Sequence, residues 1–101
     1  MEINITSQGA ETTVQLVGRL DTPASLEVTP QLESLKDQAA GTIVLDCKEL
    51  SYISSSGLRI FLTLRKASVE KGGKIIVRGL NSDVRGVFVM TGFLNLFQVE
   101  E

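Results

Sequence analysis

Three consecutive hydroxyls and a glycine, Ser54-Ser55-Ser56-Gly57, stand between an apolar run, Ile43-Val44-Leu45, and a segment in which Ile60, Phe61, Leu64 and Ala67 recur at helical spacing. A strand-to-helix turn gathers free backbone N–H groups and the positive end of the helix dipole, and both favour a hydroxyl cap or an anion. Three kinds of chemistry are therefore open: a serine that only caps the helix, a serine that accepts a phosphate, and a serine that acts as a nucleophile. The last is poorly supplied. The chain has no histidine, which removes a Ser-His-Asp triad, imidazole acid/base catalysis and any histidine metal site. Lys48 or Lys66 could serve a serine hydrolase as base, but the turn lacks the glycine on both sides of the serine that a nucleophile elbow requires. No phosphate-cradling glycine loop is visible either. The expectation is a binding module, not an enzyme, with no cofactor and no metal.

The bulk composition agrees. A chain of 101 residues, 43% apolar and 22% charged, can bury one core without disulfides but not two, and is expected to form a single domain over residues 1–101. The net charge of −2 is spread over interspersed acids and bases with no basic stripe, so nucleic acid is not an expected partner. Apolar runs such as Val87-Phe88-Val89-Met90 fall far short of the roughly 20 residues of a membrane span. Met1-Glu2-Ile3-Asn4 has no basic stretch leading into an apolar one, so a signal peptide is not expected. The single cysteine, Cys47, has no internal partner and reads as a buried small residue in a reducing compartment, so the cytoplasm is expected.

The elements that must position the turn follow from period and punctuation. Ile3 to Thr6 and Thr13 to Val17 read as a β-hairpin around Gln8-Gly9. Thr22-Pro23 reads as a cap and a first helical position; Pro30 then either kinks that helix or, with Thr29, marks its true start. Leu32 and Leu35 supply a buried stripe before Gly41. Thr42 to Asp46 has the unbroken apolar character of a strand covered on both faces. Ser51 to Ser56 is polar and short, and the second helix is expected from Gly57 to Gly72-Gly73. Lys74 to Val77 is a buried strand, Asn81-Ser82 a capping pair for a third helix through Val84, Val87, Phe88 and Thr91 to Gly92, and Leu96 to Val99 a last strand. Phe61, Phe88, Phe93 and Phe97 read as core. The order β-β-α-β-α-β-α-β implies an α/β sandwich, a mixed central sheet with helices packed on it.

Several segments, taken in order, resemble the STAS domain family, named for sulfate transporters and anti-sigma factor antagonists. They are Gly18-Arg19-Leu20-Asp21-Thr22, Ile43-Val44-Leu45-Asp46 followed by Leu50-Ser51-Tyr52-Ile53-Ser54-Ser55-Ser56-Gly57-Leu58, Gly72-Gly73, Val84-Arg85-Gly86-Val87-Phe88, and Thr91-Gly92-Phe93. The resemblance implies a STAS-type sandwich and, for a bacterial chain of this length, an anti-sigma factor antagonist. Such a protein binds a serine-kinase anti-sigma factor, so freeing a sigma factor for transcription. It is released when the kinase phosphorylates it, and a serine phosphatase restores it. The implied acceptor is Ser55, with Ser54 and Ser56 as alternatives, and the implied partner-binding set is Asp21, Thr22, Ser54, Ser56, Gly57, Leu58 and Arg59.

One position departs from the family pattern, which usually has Asp immediately before the acceptor where this chain has Ser54. Without that carboxylate, Ser54 is itself a candidate acceptor or a replacement cap. Asp21 reads equally as a helix-capping aspartate, and Leu58 and Arg59 equally as an ordinary solvated face. A structural STAS subunit of a transport or sensory complex, docking without phosphorylation, is the second reading. Nothing in the sequence demands more than a monomer when the chain is free.

Overall fold

The computed structural model describes residues 1–38 and 40–100. Strands β1 (Glu2–Gln8) and β2 (Glu11–Leu20) form the expected antiparallel hairpin, in register from Glu2 opposite Val17 to Gln8 opposite Glu11. Helix α1 (Thr22–Glu33) begins one residue before the position expected: Asp21, not Thr22, is its cap, and Pro23 is the second helical residue. The helix also continues through Pro30 to Glu33 with no new start at Thr29, and then tightens into a 3₁₀ turn, Ser34–Gln38. Pro30 cannot donate to the carbonyl of Leu26, but both residues lie on the exposed side, where water can replace the lost bond.

Strands β3 (Thr42–Asp46), β4 (Leu50–Ile53) and β5 (Lys74–Arg78), helices α2 (Ser55–Lys71) and α3 (Ser82–Thr91), and strand β6 (Gln98–Glu100) complete the chain. The order is therefore β-β-α-β-β-α-β-α-β, with β4 added to the expected sequence of elements. Its residues Leu50 and Ile53 point inward while Ser51 and Tyr52 are exposed, a pattern that does not alternate and so leaves no strand signature. Helix α2 starts at Ser55, two residues ahead of the expected Gly57, and ends on Gly72 in the left-handed conformation, φ +74°.

Five strands lie in the order β1-β2-β3-β5-β6, and β4 branches from β2. All pairings except β1 with β2 are parallel. The sheet is mixed, as expected, but its two faces are unequal. Val14, Leu16, Ile43, Leu45, Ile75 and Val77 project to one face and join Val28 and Leu32 of α1, Phe61 and Leu64 of α2, and Val84 and Phe88 of α3 in one core cluster. On the opposite face Val44 is fully buried too, beside its register neighbours Thr13 and Ile76 and outside that cluster, so β3 is buried on both faces as expected, with the helix-lined core on one of them. Phe61 meets Phe88 edge-on with centroids 6.0 Å apart, and Phe97 closes the group at 6.1 Å from Phe88. Such pairs add specificity to the burial of large rings. Among the described residues no helix is long and apolar enough to cross a membrane.

Candidate functional site: the paired Asp21 and Ser54 turns

β2 and β4 run side by side and end at the same edge of the sheet, with Leu20 opposite Ile53. The residue after each strand caps the helix that follows. Asp21 accepts from the Ala24 N–H through Oδ1 at 3.0 Å, and its carbonyl accepts from the Ser25 N–H and Ser25 Oγ, each at 2.8 Å. Ser54 Oγ accepts from the Gly57 N–H at 3.2 Å and its carbonyl accepts from the Leu58 N–H at 2.9 Å. The two turns are tied together, because the Ser54 N–H donates to the carbonyl of Leu20 at 2.8 Å.

This arrangement divides the three serines. Ser54 is half-buried and committed to capping, the work the usual aspartate would do. Ser55 is the first helical residue and exposed, and its hydroxyl has no partner among the described residues. Ser56 is half-buried and lines a groove of about 240 Å³ between α1 and α2, together with Ser25, Leu26, Thr29, Arg59 and Ile60. The N–H groups of Ser55 and Ser56 have no helical carbonyl four residues back to donate to, so they stay free at the positive end of a 17-residue helix.

Gly57 is buried, and a Cβ there would lie 2.8 Å from Leu20 Cγ and 2.9 Å from Ile53 Cγ1. Both neighbours are core side chains, so glycine is what lets α2 sit down on the ends of β2 and β4. Its place in the site is that of a spacer. Leu58, read from the sequence as partner-facing, is only 5% exposed and belongs to the core; the first turn of α2 rotates it beneath the helix and leaves Arg59 on the surface. Thr22 is exposed beside the cap of α1, and Asp21 is half-buried. The sequence reading overlooked Arg19 and Tyr52, which flank the turns on β2 and β4: the Arg19 guanidinium carbon lies 4.3 Å from the Tyr52 ring centroid. Cys47 is fully buried, and its thiol is pushed up to about 12 by burial and by the Asp46 carboxylate beside it, so it is a packed, protonated side chain and not a reactive one. Among the described residues no three of Asp, Glu and Cys come together as a ligand set.

A mixed sheet with three helices on one face, and a hydroxyl-bearing strand-to-helix turn at its edge, defines the class. The STAS domain model matches residues 2–101, and the chain belongs to that family. Relatives within it include proteins named as anti-sigma factor antagonists. The anti-sigma F factor antagonist of Paenibacillus polymyxa is 32% identical over 87 residues, 85% of this chain and 74% of that protein. The anti-sigma-B factor antagonist of Staphylococcus aureus is 25% identical over 101 residues, 100% of this chain and 94% of its own length. The fold is shared with the anti-sigma factor antagonist SpoIIAA in its unphosphorylated form, TM-score 0.74 at 18% identity, over 99% of this chain and 87% of that one. Phosphorylated SpoIIAA of Bacillus matches equally, TM-score 0.74 at 21% identity, over 97% of this chain and 90% of that one.

Proposed function

We propose that the chain is a cytoplasmic, non-catalytic partner switch. Its bare Ser54-Ser55-Ser56 turn, with Asp21, Thr22 and Arg59 around it, binds a serine-kinase anti-sigma factor; phosphorylation of Ser55 ends that binding and a serine phosphatase restores it. The observation that carries the reading is the division of labour at the turn: Ser54 takes the cap, which frees the exposed Ser55 hydroxyl from any structural duty. Modifying the capping serine would cost stability, whereas modifying Ser55 disturbs no bond of the fold. The relatives named as antagonists, and the existence of phosphorylated and unphosphorylated forms of SpoIIAA, support the same reading.

Phosphoserine brings about −1.5 to −2 charges at neutral pH, and a partner surface shaped for a small neutral hydroxyl would have to desolvate them. A penalty of roughly 3 to 4 kcal/mol, more than a hundredfold in affinity, is enough to abolish a complex of moderate strength. The domain itself tolerates the charge. The free N–H groups of the first turn and the dipole favour it by about 0.3 to 1 kcal/mol, and Arg59 stands one helical turn beyond Ser55 on the same side. The switch therefore acts at the interface and leaves the fold intact.

The test is incubation with ATP and the serine-kinase anti-sigma factors encoded in the same genome, followed by peptide mass spectrometry of residues 51–59, with Ser55→Ala as control. Phosphate on Ser55 together with loss of the complex is the expected result. Binding without modification would instead favour a structural STAS subunit, and the absence of both would overturn the antagonist reading.

A further inference from the structure

Beside the acceptor turn the sheet carries a pair of side chains that neither the caps nor the core requires. Arg19 and Tyr52 are register partners on β2 and β4. Leu20 and Ile53, the next residues, turn inward beneath Gly57. Arg19 and Tyr52 turn outward, and both are exposed. The Arg19 guanidinium is parked over the Tyr52 ring. Among the described residues it forms no ion pair and no side-chain hydrogen bond, and the Tyr52 hydroxyl has no partner. A cation held over a ring loses much of its rotamer freedom while its N–H donors stay available, so the ordering that a bidentate contact demands is largely complete before a partner arrives.

The position is as informative as the pair. At about 3.3 Å per strand residue the platform lies roughly 10 Å from Ser55, inside the footprint of any protein that covers the turn. Arginine and tyrosine are also the residue types that most often dominate such footprints. A planar fork of donors with no anion of its own selects a planar acceptor. A phosphate on Ser55 has nearer donors in the first turn of α2 and in Arg59, so a carboxylate from outside the chain is the better match.

Resting on the antagonist reading above, we infer that Arg19 and Tyr52 form a docking platform for an aspartate or glutamate side chain of the serine-kinase anti-sigma factor. That contact orients the kinase over Ser55 and helps to choose between kinases. It is an interaction surface additional to the turn, and it needs no chemistry of its own.

The test uses the purified full chain and, as probes, each serine-kinase anti-sigma factor of the same genome, with dissociation constants and association rates measured at two salt concentrations. Arg19→Ala is expected to weaken the complex about 10- to 100-fold, the range of one charge-assisted hydrogen-bonding contact. Arg19→Lys, which keeps the charge and loses the fork, recovers only part of that loss. Tyr52→Leu weakens binding about fivefold, and the double variant is no worse than Arg19→Ala alone, because the ring acts through the guanidinium. The association rate of the unaltered chain falls more steeply with salt than that of Arg19→Ala. Lys74→Ala, which removes an exposed cation at the opposite end of the parallel strands, is the control for charge alone and leaves binding unchanged. Melting curves keep unfolded variants out of the comparison. A dissociation constant for Arg19→Ala within twofold of the unaltered chain, or an equal loss in Lys74→Ala, overturns the platform while leaving the antagonist reading intact. If no kinase binds the unaltered chain, the antagonist reading falls, and the platform with it.

Discussion

Replacing Ser54 and Ser55 by alanine, one at a time, separates the hydroxyl that holds the fold from the one left free. Ser54→Ala removes the oxygen that accepts from the Gly57 N–H at 3.2 Å. Loss of a side-chain cap costs about 1 kcal/mol, within a range of about 0.5 to 2. The bond is at the long end of its class, which pulls the value down. Gly57 is buried, which pulls it up, because water reaches the abandoned N–H poorly. About 1 to 1.5 kcal/mol is expected. With an unfolding entropy near 2.1 cal/mol/K per residue, a chain of 101 residues should lose about 5 to 7 °C in Tm. Ser55→Ala deletes an exposed oxygen without a partner and should stay within about 0.5 kcal/mol, or about 2 °C. Ser54→Asp keeps an acceptor at the cap and adds a charge at the positive end of α2, so its Tm should equal or exceed that of the unaltered chain. Differential scanning calorimetry or urea titration reads all three. An equal drop for the two alanine variants, or none for Ser54→Ala, would refute the division of labour on which the functional reading depends.

Two further outcomes follow from the packing and the buried thiol. Gly57→Ala should lower stability by about 1 to 2 kcal/mol in urea titration, since overpacking against Leu20 and Ile53 outweighs the gain in helix propensity. Cys47 deprotonates near its ordinary 9.0 in the unfolded chain and near 12 in the folded one. The folded state therefore holds a proton that the unfolded state has released between those values, and its contribution to stability, complete below pH 9, falls by about 1.4 kcal/mol per pH unit as pH rises above it. That slope, measured by urea titration from pH 8 to 11, should shrink in Cys47→Ala.

Much of the architecture was legible because core positions repeat and caps are chemically distinctive. The hairpin, the third helix between Asn81 and Gly92, and the core of Phe61, Phe88 and Phe97 stand where periodicity and capping residues put them, while Phe93, expected in that core, is only half-buried against it. What escaped was decided by tertiary context. β4 is short, non-alternating and held by three register positions on a neighbour distant in sequence, so no local window contains its signal. Pro30 looked like a boundary because propensity knows nothing of which side of a helix faces water. At the site, the clustered serines announced a helix start, but which of them caps depended on where α2 begins, two residues ahead of the glycine. That same shift rotated Leu58 into the core. The Arg19–Tyr52 pair could have been found only by placing β4 against β2, which the missing strand prevented.

The branching of the sheet at β2 bears on how the molecule opens. From Glu11 to Gln15 that strand is laced to β3 in the main ladder; beyond an irregularity at Gly18, where φ reaches +108°, its last residues answer to β4 instead. Amide protons at the tip of β2 and along β4 are thus guarded by a small annex, closed by the seating of α2, while those of β3 and β5 are guarded by the whole ladder. Exchange with solvent can proceed in the annex without unzipping the rest. The turn proposed above as the docking surface thereby rests on the part of the sheet that can open without disturbing the main ladder.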